Sequence, residues 1–484
     1  MLTRRTMIGG TGAAAALLGA GAAGGQPVGP PPVLIRRSVY GLPAGSTALA
    51  DYAKAVGVMR ARPASDPTSW VFQAAIHGSN GAVPPAFADT WNSCQHGSFF
   101  FLSWHRMYLY FFERIVRKAS GRATFALPYW DYGPAANRAL PPAFRLPATA
   151  ANQLFVAERD PSINSGAVVP ASATLSSAAM ATTLFGSPGG SGLGFGGQTM
   201  ASPVHFSGPP GRIESQPHNV MHGVIGGDTG WMSDPNTAAA DPIFWLHHCN
   251  IDRLWSRWLA SGGGRVNPVG NPAWMTTKFN FFNENGVKVQ MSGAQVVNTV
   301  TQLRYRYDDV PPPLVLATAL EKAAIVPSRV IASRSTEAVL QLGRAASRVT
   351  LQPPGGGAEA MVVTGGGPVV LKFAGIALQR PVGLYYEVYV NKPANGATGP
   401  ESPYYAGNLS FFGLGHRGGS AVDNGQYTLE ISDLLAAQRK AGQWRGGEVS
   451  VDLVPQAAGG VKPSATESAA RPLVTIGEIS ILGR

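Results

Sequence analysis

The spacing of apolar positions divides this chain into a helical part and a strand-forming part. Leu49 to Arg60 carries apolar residues at helical spacing and runs into a loop from Pro63 to Pro67. Trp70 to His77 leads on from that loop, and Phe99 to Val116, FFFLSWHRMYLYFFERIV, is an aromatic-rich helical segment. Ile251, Leu254, Trp255 and Trp258 recur at helical spacing after the pair His247–His248. Between Pro134 and Pro210 the chain turns rich in Ala, Ser, Gly and Pro, and SPGGSGLGFGGQ (Ser187 to Gln198) reads as a flexible loop joining two helix pairs. DDVPPPL (Asp308 to Leu314) reads as a boundary. Beyond it VVLKF, LYYEVYV and YTLEI alternate or are β-rich, and PPGGG and ATGPES mark turns. The pattern predicts a mainly α domain over 26–310, a linker over 311–330 and an all-β sandwich over 331–484.

Composition changes this picture at the edges. Only 13% of the 484 residues are charged, against 60 Gly and 39 Pro, which fits abundant loops and strands. The net charge of +11 comes without any basic run interleaved with aromatics, so a solvated basic surface is expected and no nucleic-acid partner. Two cysteines make no disulfide framework. Residues 1–25 stand apart: TRRTMIGG places Arg4 and Arg5 before a weakly apolar Ala/Gly run and resembles a twin-arginine export signal, cut near Ala20 to Ala23. Export to the periplasm or the exterior follows, without a permanent membrane anchor, because the run is too Gly-rich and no later stretch is long and apolar enough to span.

The histidines carry the chemistry. Six of the nine fall into two groups of three: His77, His96 and His105 upstream, and His218, His222 and one of the pair His247–His248 downstream. His218 and His222 are four apart, which on a helix puts both imidazoles on one face, and Pro217 suits a helix start. For one such pair, two core histidines would be the simpler account. Two groups of three on paired helices instead describe a dinuclear metal centre in a four-helix bundle. Ligation by imidazole alone suits copper or zinc over magnesium or calcium.

CQHGSFFFLSWHRMYLYFFE, LPYWDY (Leu127 to Tyr132), PHNVMH and DPIFWLHHCNIDRLW together resemble the copper A and copper B signatures of tyrosinases and catechol oxidases, the type 3 copper phenol oxidases. The resemblance implies His77, His96 and His105 on copper A, and His218, His222 and His248 on copper B, with His247 lining the pocket. It implies two copper ions, O2 as co-substrate and small phenols as substrates. It implies a thioether from Cys94 to His96 with Cys249 a buried thiol, a water held by Glu214 and Asn219 that takes the phenolic proton, space at Gly223 beside the site, and Phe244 as an aromatic gate. Arg36 or Arg37 would stack on Tyr305 and Tyr307 and tie the ends of the catalytic domain together. Asp252, one turn past His248, could orient a ligand imidazole, or simply pair with Arg253 or Arg257. His205 and His416 carry no pattern of their own.

LYYEVYVNKP and GNLSFFGLGH resemble the C-terminal domain of plant-type polyphenol oxidases. The implied enzyme is latent until that domain is cleaved off near Glu321 to Arg334 or displaced, with an activating protease and a copper-loading helper as partners. The first expectation is a tyrosinase acting on monophenols and o-diphenols. Alternatives are a catechol or o-aminophenol oxidase and a haemocyanin-like oxygen carrier. A zinc hydrolase fits the motif set poorly.

Overall fold

A computed structural model describes residues 31–187, 191–206, 208–311, 329–334, 339–354, 367–378, 382–414, 425–457 and 474–483. The export signal, residues 312–328 of the linker and His416 lie outside the described residues. The chain builds two hydrophobic cores, one spanning Val39 to Val310 and one spanning Ala332 to Ile481.

The first core is helical. Helix α1 (Ala48–Arg60) packs on α3 (Phe100–Ser120), which packs in turn on α5 (Pro242–Ala260). Helix α2 (Trp70–His77) and α4 (Val220–Gly226) complete the set around the histidines. The starts are set locally. Ser69 caps α2 by accepting from Phe72 N, and Asp241 caps α5 by accepting from Ile243 N with Pro242 in the first turn. Gly121, at φ 75°, ends α3 in the left-handed conformation that favours glycine. Phe112 of α3 and Trp245 of α5 stack face to face with centroids 3.3 Å apart.

The two ends of this domain are joined by a parallel pair, β1 (Leu34–Arg36) with β2 (Tyr305–Tyr307). The buried Arg36 guanidinium lies 3.7 Å over the Tyr305 ring, donates to Glu113 Oε2 at 2.9 Å and donates to Tyr307 Oη at 3.0 Å. This is the arginine–tyrosine tie expected from the sequence.

Of the Gly-rich stretch Ser187 to Gln198, expected to be flexible, the described residues 191–198 are largely buried, and Phe195 stacks on Trp258 at 4.5 Å. The glycines are there for close backbone approach, since a Cβ on Gly211 would collide with the Gly196–Gly197 backbone. The helix carrying His218 and His222 starts at Pro217, as the sequence suggests, with a break just ahead of it. Gln216 is extended, with φ −153° and ψ 124°, and separates Glu214 from His218.

The second core is a ten-stranded sheet of antiparallel pairs in the order β8-β7-β10-β5-β3-β12-β6-β11-β4, with β9 also on β6. These strands are β3 (Arg329–Arg334), β4 (Leu340–Leu342), β5 (Ser347–Gln352), β6 (Val370–Leu378), β7 (Tyr385–Val390), β8 (Tyr405–Leu409), β9 (Gly425–Glu430), β10 (Val449–Gln456), β11 (Val474–Ile476) and β12 (Glu478–Gly483). One helix, α6 (Ser432–Lys440), is inserted after β9. Arg329–Arg334, inside the stretch expected to be a cleavage region, is a paired strand. Two residues of this domain, Tyr385 and Phe412, belong to the helical domain's core. The domains also meet backbone to backbone, because a Cβ on Gly383 would overlap Gly227.

Candidate metal centre

The structure brings His77, His96 and His105 into one buried group, and His218, His222, His247 and His248 into another, with the nitrogens of each group within 4.8 Å of one another. The groups adjoin. His105 of α3 and His248 of α5 stack across the divide with centroids 4.4 Å apart and planes 9° from parallel, and His96 lies 5.8 Å from His218.

Four of the imidazoles are oriented by their Nδ1 atoms. His77 Nδ1 donates to Pro235 O, His105 Nδ1 to Phe101 O, His218 Nδ1 to Asn219 Oδ1 and His222 Nδ1 to Met232 O, each at 2.8 Å. That fixes the tautomer and turns a bare Nε2 inward. Nε2 of His77, His105 and His218 is buried and has no hydrogen-bond partner. His222 Nε2 and His248 Nε2 are 3.4 Å apart. Two nitrogens bound at about 2 Å to one tetrahedral ion would be about 3.3 Å apart. Buried nitrogens without partners are costly in a core and are the donor set a metal needs. Burial pushes His77 and His218 down to about 3 and the other five well below the ordinary imidazole value, so all seven are neutral at neutral pH. Neutral imidazole is the metal-binding form.

The flanking residues fall into place unevenly. Cys94 Sγ is 3.3 Å from His96 Nδ1. Glu214 is buried and accepts from Gly97 N at 2.9 Å; burial raises its carboxyl to about 8, and hydrogen bonds from Gly97 and Gly211 offset only part of that. Glu214 and Asn219 line one cavity with His96, Phe206, Phe412 and Tyr427. The space open to water centres there is ≈ 20 Å³, room for about one water. A Cβ at Gly223 would meet only Val382 O, at 3.8 Å, so the space left by this glycine faces the C-terminal domain. His247 Nδ1 is 3.3 Å from the Tyr132 hydroxyl.

Two residues do not stand where the sequence put them. Phe244, expected as a gate, is fully buried in the floor, 5.0 Å from the His77 ring and 4.2 Å from His248, and does not line the mouth cavity. Asp252 bonds to no imidazole. It accepts from Arg106 Nε at 2.5 Å, Arg36 Nη1 at 3.3 Å, and the Tyr305 and Tyr307 hydroxyls at 2.6 Å each. Burial alone would raise its carboxyl, but these two arginines and two hydroxyls hold it below the usual range. Its role is in the tie between the domain's ends.

Sequence reasoning left unnamed the ring that covers the site. Phe412, just after β8, stacks on His222 with centroids 3.9 Å apart and planes 12° from parallel, and lies 5.7 Å from His218. Phe206 stacks on His96 in the same manner at 4.6 Å and 7°. The motif SFFG holds the signal for Phe412, but only packing shows which of its two rings points inward.

Fold and site thus define a dinuclear, all-imidazole metalloprotein with a helical core and an appended β domain. The common central domain of tyrosinase matches residues 67–188 and 193–261, the polyphenol oxidase middle domain 269–318, and a domain of unknown function (DUF7868) 330–483. Tyrosinase HcTyr1 of Hahella sp. is 32% identical over 87% of this chain and 95% of its own length. The latent form of polyphenol oxidase from Prunus armeniaca is 32% identical over 55% of this chain and 47% of its own. The solved structure of latent apple tyrosinase superposes with a TM-score of 0.65 at 25% identity, covering 93% of this chain and 97% of the other. The chain belongs to the tyrosinase and polyphenol oxidase family of type 3 copper enzymes. Its histidine clusters fit two copper ions.

Proposed function

We propose that this protein is a latent, exported phenol oxidase that uses O2 to hydroxylate monophenols and to oxidise o-diphenols to o-quinones. The observation that carries the reading is Phe412: an aromatic ring from the second domain lies flat on His222, where a flat phenol would have to lie. His77, His96 and His105 hold one copper, and His218, His222 and His248 the other. His248 is preferred over His247 because its Nε2 faces His222 and its ring stacks on His105, while His247 turns to Tyr132. Two copper ions held there supply O2 binding and the two-electron exchange with the phenol.

The chain's own residues do the rest. Phe412 and the domain behind it exclude substrate. Asn219 fixes the His218 ring through Nδ1. Glu214, with a water in the adjoining cavity, receives the phenolic proton, whose pKa in a free phenol is about 10. In the closed chain burial raises the carboxyl of Glu214. Departure of the domain admits water and lowers it. Cys94 and His96 join through a thioether, losing one hydrogen each with O2 as the acceptor of both electrons. Export uses the twin-arginine signal, with a copper-loading helper and an activating protease as partners.

The test is oxygen uptake by the copper-loaded protein with a monophenol and its matching catechol, before and after limited proteolysis. Uptake on both that rises after cleavage is expected. Uptake on the catechol alone would make the protein a catechol oxidase, and reversible O2 binding without turnover would make it a carrier. Loss of two hydrogens from the peptide holding Cys94 and His96 would report the thioether.

A further inference from the structure

The segment that carries Glu214 and delivers His218 is held from outside its own domain. Gln216 is extended between Ile213 and the helical turn at His218, so the chain there lacks the continuous hydrogen bonding of a regular helix. Two contacts from the β domain bear on it. The buried Tyr427 of β9 donates its hydroxyl to Ser215 O at 3.1 Å, one residue before Gln216. The buried Asn408 of β8 donates Nδ2 to Ser172 O at 2.9 Å, and the same carbonyl accepts Gln216 Nε2 at 2.7 Å. Ser172 is fixed a second time by its hydroxyl, 2.8 Å from the Tyr385 hydroxyl of β7. Three strands of the second domain therefore converge on one carbonyl and one turn. The upstream group is tied to the insert instead, through His96 N to His205 O at 3.1 Å and Phe99 N to Gln198 O at 2.9 Å, and the β domain meets His96 through the Phe412 ring, 6.0 Å away and edge-on.

We infer that Tyr427 and Asn408 are positioning residues for the downstream half of the metal centre, so that the β domain braces copper B as well as covering it. The inference rests on the metal assignment above, but not on the enzyme's substrate or its latency. Displacing the domain uncovers the site and at the same time loosens the turn that sets Glu214 and His218. Copper B, and not copper A, becomes the labile ion of the open enzyme.

The experiment is hydrogen–deuterium exchange of the full chain, without and with copper, on Tyr427→Phe, Asn408→Ala and Phe412→Ala. Tyr427→Phe keeps the ring and removes only the donor. Loss of one such bond is expected to speed exchange of the amides over 213–219 about tenfold, with those over 101–116 at the wild-type rate. Phe412→Ala, which removes the cover and leaves the brace, is expected to leave 213–219 unchanged. In the copper-loaded Tyr427→Phe protein a chelator should take one ion per chain faster than in wild type and the second at the wild-type rate. Wild-type exchange in Tyr427→Phe overturns the inference, as does an equal acceleration from Phe412→Ala, which would make the cover responsible. If Asn408→Ala fails to fold, Tyr427→Phe alone decides. Phenol oxidation is not read at any point, so failure here leaves the proposed activity standing or falling on oxygen uptake.

Discussion

In both histidine groups a phenylalanine stands one helical turn before a histidine: Phe101 before His105 on α3, and Phe244 before His248 on α5. The two histidine rings stack on each other, so the halves meet around a near-twofold arrangement. The likeness ends at the outer contacts. The upstream half takes its acceptors from the helical domain, Phe101 O and Pro235 O, with the glycine-packed insert behind His96, and Phe412 reaches it only edge-on, 6.0 Å from the His96 ring. The downstream half has a side-chain acceptor in Asn219, a broken helix before His218 and an aromatic ring from the other domain on His222. Similar local sequence is finished by different surroundings in the two halves.

The comparison can be broken where it claims equality. His77→Ala and His218→Ala should each remove one copper per chain and abolish oxygen uptake; metal analysis in which either variant keeps both ions would dissolve the two-site description. Asp252→Ala should act on neither half in particular. It leaves Arg36 and Arg106 buried beside an empty position, a loss of about 3–5 kcal/mol of stability in denaturant unfolding, with two coppers still bound in the folded fraction.

Claims of inequality come next. Phe412→Ala removes the ring that lies on His222 while Tyr385, Asn408 and Tyr427 keep the domain docked, so the uncleaved enzyme's oxygen uptake should rise towards that of the cleaved enzyme. The matching change on the upstream side, Phe206→Ala, should not relieve latency. Asn219→Ala should weaken copper B about 10–100-fold without moving copper A, measured by competition with a chelator.

The remaining prediction concerns pH. Histidines held far below 6.5 bind fewer protons folded than unfolded, so the metal-free protein loses stability as pH falls below the unfolded value near 6.5 and towards about 3. Glu214 runs the other way. Its raised carboxyl contributes stability that is fully present below the unfolded carboxyl value near 4.5 and is lost as pH rises through about 8. Melting curves of the metal-free chain should show the acid loss strongly and the alkaline loss weakly, and Glu214→Gln should remove only the latter.

The histidine groups were legible because metal ligation needs fixed residue types, and the strands because β7 is β-rich and buried at every position while β9 alternates. Other features depend on partners far along the chain. Asp252 sits one turn past His248, where spacing alone suggested an imidazole partner; two arginines and two tyrosines from elsewhere outcompete it. Phe244 lies one turn from His248 in a motif that reads as site-facing, yet packing turns it to the floor. Gly-rich sequence signals flexibility only when nothing presses on it, and in the insert the backbone of residues 196–197 is met by Gly211.

The meeting of Gly227 and Gly383 has a hereditary consequence. Gly383 has no room for a methyl group beside Gly227, and a base change in the first two letters of a glycine codon removes the glycine. A lineage can therefore lose this close contact in a single step at Gly383. It can regain it only by reverting that step or by rebuilding the seam between the domains. The seam is easily lost by mutation, so its persistence in descendants would mark it as a selected trait.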